Sequence, residues 1–261
     1  MRGWNSYIAP GICDEFEMDV FFMPKSYPGV KEYPAGLLAI DIFSKYMSII
    51  PIVDNKAITL KPAIEETFKK IGCKPRIIYT DNEGGLESKE EFGTWWDDHD
   101  ILHLITTEHA NTAERAVRTL KMMMDKRIEH DKKQGNAHPW YGVILNNILD
   151  VYNNKDIHRS IQMTPKEGRM KKNESIVRAN LELRAKHNRK YPVLKKGDKV
   201  QVFRKKTKAT EKERFSHWAP RKWTVVDIKE EKGQEMYFLE HEGERAPKPC
   251  LRFELLKVKQ D

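Results

Sequence analysis

Cysteine is scarce in this 261-residue chain: Cys13, Cys73 and Cys250 are all there are, and no two form a Cys-x-x-Cys pair. That argues against a disulfide framework and against a structural zinc site built from cysteine pairs. Long apolar runs are also missing. The stretch 37–40 is typical of the longest, far short of the roughly 18 residues a membrane helix needs. The first residues, Met1, Arg2, Gly3, Trp4 and Asn5, lack the charged-then-apolar order of a secretory signal. A soluble intracellular protein is the expectation.

What the chain does have is charge, unevenly placed. Residues 1–150 hold 18 Lys and Arg against 23 Asp and Glu, a net of −5, whereas residues 151–261 hold 29 against 16, a net of +13. A basic second half suits a polyanion, nucleic acid being the commonest, although a solvated basic surface would read the same way. The length predicts two domains.

The first half alternates strand-like and helix-like segments, the rhythm of a sheet covered by helices. Strands are expected at 16–22, 36–43 and 46–53 as a meander, then at 76–79 and 102–105. Helices are expected at 59–71, 89–99, 113–133 and 140–152, with Leu60, Ala63, Ile64, Phe68 and Ile71 repeating at helical period before Gly72. Residues 166–190 turn basic and polar, a connector partly helical over 176–187. Runs at 199–203, 222–229, 235–241 and 252–257 alternate as in a small all-β barrel. No internal repeat is present.

Three acids stand where solvated surface acids usually do not. Asp19 lies inside an apolar strand, Asp81 follows another, and Glu114 opens the long helix. Burying a carboxylate is unfavourable unless it is paired or bound to a cation, and three converging acids would attract a divalent ion. Each also has a bland explanation. Asp19 shares its parity with Glu17, so both could face solvent on a one-sided sheet. Asp81-Asn82 could be a turn pair. Glu114 could merely complement a helix dipole.

With their neighbours the three acids resemble the catalytic residues of retrovirus-type integrases. The segments are Glu17-Met18-Asp19, 38–46 (LAIDIFSKY), Tyr79-Thr80-Asp81-Asn82 and 114–121 (ERAVRTLK), followed by Tyr152-Asn153-Asn154, His158-Arg159-Ser160 and Met163-Thr164-Pro165-Lys166-Glu167. In detail they look most like Maverick/Polinton-type integrases of large DNA transposons and related DNA viruses. Lys196-Gly197-Asp198-Lys199-Val200, Trp218, Trp223 and Glu254-Leu255-Leu256-Lys257-Val258 resemble the Src-homology-3-type barrel that follows the core in the same family. Three features depart from the family. The spacing between Asp81 and Glu114 is tight, Glu83 intervenes before Gly84-Gly85, and the zinc module that often precedes the core has no counterpart in these residues.

The resemblance implies an α/β RNase H-like core, a mixed sheet flanked by helices, over 1–168, a basic, partly helical linker over 169–192, and a small β-barrel for DNA binding or multimerisation over 193–261. It implies a DNA integrase that trims 3′ ends and joins them to target DNA. Asp19, Asp81 and Glu114 would be both catalytic residues and ligands of two Mg2+ ions, with Mn2+ substituting and Asp19 bridging. The partners implied are double-stranded DNA and further copies of the chain, with no membrane, and the setting a nucleus or a viral particle or replication compartment.

Glu114, Arg118 and Lys121 share one helix face, so Arg118 and Lys121 are candidates to hold DNA phosphate. A plain exposed ion-paired face is the alternative. His158, in a structural or DNA-contact role, Arg159, Lys171, Lys172, Lys186, Lys190, Arg204, Lys205 and Lys206 complete the expected DNA contacts. Trp218, Trp223 and Tyr237 are expected in the barrel core. An RNase H-like nuclease and a catalytically silent DNA-binding relative are the rival readings.

Overall fold

The computed structural model of the chain describes residues 8–81, 85–87, 89–105, 111–185, 192–203 and 218–258. The described residues of 7–105 and 110–186 form one compact unit, and those of 187–261 belong to a second.

In the first unit β1 (Glu15–Phe22), β2 (Ala35–Asp41) and β3 (Met47–Ile52) make the expected antiparallel meander. The chain then forms α1 (Ala57–Ile71) and adds β4 (Ile77–Thr80) parallel to β1 and, after α2 (Lys89–Asp98), β5 (Leu102–Ile105) parallel to β4. The order β3-β2-β1-β4-β5 leaves β1 in the centre of a mixed sheet.

Both faces of that sheet are covered. On one, Leu37 and Ala39 pack with Phe16, Met18 and the α1 residues Leu60, Ile64 and Phe68. On the other, Leu38, Ile40 and Phe21 pack with Ala113, Val117, Leu120 and Met124 of α3 (Asn111–Lys133). Two-sided burial explains why β2 reads as an unbroken apolar run. Helix α1 ends as its sequence predicts: Gly72 takes φ 82 and its N–H donates to the Phe68 carbonyl.

Two expectations need correction. A single helix over 140–152 does not form, because Tyr141 and Gly142 leave helical geometry, Gly142 at φ 67. The regular helix is only α4 (Leu145–Asp150), with a wide turn from Val151 to Lys155. The cysteines are also not all free: Cys13 and Cys73 are joined by a disulfide. Spacing without a motif gave no means of pairing them.

The Tyr152-Asn153-Asn154 segment has a structural use. Asn153, buried, accepts from the Met47 N–H at 3.0 Å and donates to the Met47 carbonyl at 2.8 Å, so one side chain satisfies a backbone pair on β3, which ends the sheet. Replacing Asn153 by leucine strands both groups and should lower stability by about 2 kcal/mol; urea midpoints of the two proteins check this. Thr164 and Glu167 form a reciprocal capping box on α5 (Pro165–Gly168).

The segment read as a connector is held against the first unit. In α6 (Glu174–Ala185), Val177 is fully buried, Arg178 donates to the Pro10 carbonyl and lies over the Phe43 ring, and Asn180 donates to the Ile161 carbonyl.

The second unit is an antiparallel sheet. It contains β6 (Lys199–Phe203), β7 (Trp218–Glu231), β8 (Gln234–His241), β9 (Glu244–Arg245), β10 (Cys250–Leu251) and β11 (Leu255–Lys257) in the order β10-β8-β7-β6-β11, with β9 beside β8. Leu194, Val200, Val225, Tyr237, Leu239, Cys250 and Leu255 fill its core, and Trp223 packs against them. The Lys196-Gly197-Asp198 turn needs its glycine, at φ 90. Its Asp198 carboxylate accepts from the Lys195 N–H and the Lys257 ammonium, each at 2.8 Å.

Candidate active site

β1 presents Phe16 and Met18 to the α1 side of the sheet, so the odd-numbered Glu17, Asp19 and Phe21 point to the α3 side. Asp19 therefore does not lie on a solvent face. The parallel register sets Glu17 opposite Tyr79. Two residues further along each chain come Asp19 and Asp81, which places Asp81 beside Asp19 at the end of β4.

The third acid arrives with α3. The Glu17 carboxylate accepts from the N–H groups of Thr112 and Ala113 at 2.7 and 2.8 Å, capping the helix start from a neighbouring strand. A side-chain cap of this kind satisfies donors that the helix itself leaves open. It also fixes the first turn of α3, and with it Glu114, against the strand that carries Asp19. Glu17 was not singled out as functional in the sequence; the only signal was its shared parity with Asp19 in an apolar strand.

The charges of the other two acids reach Asp19. Asp19 has its pKa pushed up to about 6, first by burial and then by the negative charges of Asp81 and Glu114, with Lys121 acting in the opposite direction. A cluster of mutually repelling oxygen ligands suits a divalent cation. Among the described residues, no three His, Cys, Asp or Glu side chains already stand in a ligating arrangement, so the acids are grouped by charge while short of a closed coordination shell.

The other expected residues divide sharply. Lys121 lies beside Asp19, its ammonium 5.7 Å from the Phe21 ring centre, and Arg118 is exposed on the same helix face. His158 stands with Lys45 and Arg184. Burial first, then those two charges, hold its pKa down to about 4, and its Nδ1 lies 2.8 Å from the Ser160 hydroxyl. Arg159, Lys171 and Lys172 are exposed. Lys186, Lys190, Arg204, Lys205 and Lys206 lie outside the described residues.

Because the Glu17 carboxylate accepts from both of those amides, Glu17→Ala should strip Thr112 and Ala113 of protection in hydrogen exchange and lower stability by about 1 kcal/mol. Unchanged protection at these two amides would show that the carboxylate is not their partner.

No helix among the described residues is long and apolar enough to cross a membrane. No protein-family model and no curated protein matches the chain. Solved structures do. The HTLV-2 integrase catalytic core domain in complex with magnesium, in its trimeric form, is similar at a TM-score of 0.51 and 19% identity, over 62% of this chain and 99% of that one. A chain of the simian T-cell lymphotropic virus intasome in complex with PP2A regulatory subunit B56 gamma is similar at a TM-score of 0.62 and 15% identity, over 100% of this chain and 83% of that one. At such identities the likeness is one of architecture, and the architecture is integrase-like.

Proposed function

We propose that the chain is a metal-dependent DNA integrase, a polynucleotidyl transferase that trims DNA 3′ ends and joins them to target DNA. The observation that carries this is Asp19, an acid in the central strand whose proton affinity is raised by burial and then by two carboxylates distant in sequence. Asp19, Asp81 and Glu114 would hold Mg2+, or Mn2+ in its place, with Asp19 shared between two ions. Bound there, the ions would supply activation of an attacking oxygen and stabilisation of a departing one.

The chain's own side chains do the rest. Lys121 and Arg118 would hold DNA phosphates next to the acids, and the α3 cap from Glu17 keeps Glu114 in reach of Asp19. The magnesium in the HTLV-2 core complex supports this choice of ion for the present chain, and the intasome likeness supports DNA as substrate and assembly of several copies. The reading extends to an RNase H-like core over 1–168, a basic linker over 169–192 and a Src-homology-3-type barrel over 193–261. The origin it favours is a Maverick/Polinton-type element or related DNA virus, with action in a nucleus or viral replication compartment.

Incubating the full chain with Mg2+ and a duplex oligonucleotide tests this. Shortened 3′ ends together with joined products are expected. Hydrolysis without joining would reassign the chain to the nucleases, and duplex binding with neither product would leave a DNA-binding protein.

A further inference from the structure

The first turn of α3 has two sides. Glu114 faces the acids, while the next residue, Arg115, about 100° further round the helix, lines a pocket of about 300 Å³. Lys45, Arg159 and Arg184 line the same pocket, and among the described residues Asp156 is the one acid on its wall. These cations come from four separate parts of the fold: the turn after β2, the start of α3, the segment after the wide turn, and the end of α6.

Lys45 is unusual among them. It is only 9% exposed and sits at φ 64, with its backbone N–H bonded to the Asp41 carbonyl at 2.8 Å. Among the described residues its ammonium makes no hydrogen bond or ion pair, and Glu17 and Asp41 counter it only through their charge. Burial first, and to a smaller extent the charges of Arg115 and Arg184, lower its proton affinity against Glu17 and Asp41. Burying a lysine among arginines is unfavourable without an anion to compensate them.

The geometry points to a phosphate site: the pocket takes a phosphoryl group, received by the Lys45 ammonium and clasped by the guanidinium groups of Arg115, Arg159 and Arg184. A carboxylate offers only two oxygens to these four donors, whereas a phosphomonoester or polyphosphate presents three or more to the Lys45 ammonium and the planar forks of arginine. The Thr119 hydroxyl, also on the wall, can donate to a remaining oxygen. The group can come from the end of a DNA strand or from a small free polyphosphate. The site stands apart from the acid cluster and does not rest on the strand-transfer reading.

The test uses the full chain in EDTA, so that no metal-dependent chemistry enters, with inorganic pyrophosphate as probe, calorimetry as readout and ionic strength held constant. Wild type should bind one equivalent. Arg115→Gln combined with Arg184→Gln should weaken binding about tenfold or more, while Lys126→Gln, an exposed change elsewhere on α3, should leave it unaltered. The arginines replaced are exposed, so both variants are expected to fold. Absence of saturable binding in wild type, or equal affinity in all three proteins, would overturn the site. Single strands with and without a 5′-phosphate then identify the source. A preference for the phosphorylated strand that disappears in the double variant identifies a strand end, and equal binding of both strands alongside tight pyrophosphate identifies a free polyphosphate.

Discussion

Asp19→Asn is expected to make the protein more stable at pH 7 while reducing strand joining by about a thousandfold. The sign follows from the direction of the pKa shift. Asp19 is a carboxyl group whose proton affinity rises on folding, from 3.8 to about 6, so its ionised form is less favourable in the folded chain than in the unfolded one. That penalty is absent below the unfolded value near 3.8, where both states are protonated, and is complete above pH 6, where both are ionised. Asparagine is uncharged throughout. The variant's advantage should therefore be about 3 kcal/mol at pH 7, on the order of 6–12 °C in melting temperature, and should shrink as pH falls from 6 to 4. Magnesium should raise the melting temperature of the wild type and leave that of the variant nearly unchanged. A variant that joins strands normally, or whose stability parallels the wild type from pH 4 to 7, would remove Asp19 from the centre of the site.

The disulfide should give the largest loss of stability. Cys13 and Cys73 lie 60 residues apart in sequence, and closing a loop of that length restricts the unfolded chain by about 4 kcal/mol in the chain-entropy account. The bond ties the residue after the α1 cap to the turn before β1, where the Cys13 N–H also donates to the buried Asp41 carboxylate at 3.3 Å. Cys13→Ser with Cys73→Ser should lower the urea midpoint accordingly and become insensitive to reductant, while reductant alone should bring the wild type to the same midpoint. Equal midpoints for wild type and double variant under oxidising conditions would show that the cross-link does not stabilise the fold.

Much of the core was legible because its signals are local. The helical period that ends at Gly72 predicts α1 almost to the residue, and β5 falls where its apolar run predicts. The side of the sheet on which Asp19 lies was harder to see. Parity with Glu17 is compatible with two acids facing water, and only the unbroken apolar run of β2 hints that helices cover both faces. Glu17 had no signal of its own, since its partners are backbone amides 95 and 96 residues away. The helix expected over 140–152 failed because Gly142 permits a positive φ that periodicity does not register. Pairing of Cys13 with Cys73 depends on α1 folding back alongside β1, a fact of tertiary structure. The convergence of Asp19 with Asp81 depends likewise on β4 pairing with β1, which no spacing along the chain encodes.

The cap on α3 bears on how the site responds to deformation. Its anchor sits on the same strand as Asp19, two positions away, so a bend or twist of β1 moves the acid and the helix start together, as a bracket moves with its wall. The distance from Asp19 to Glu114 is thereby insulated from such distortions, and Asp81, set by the β4 ladder, becomes the member whose placement can be tuned independently.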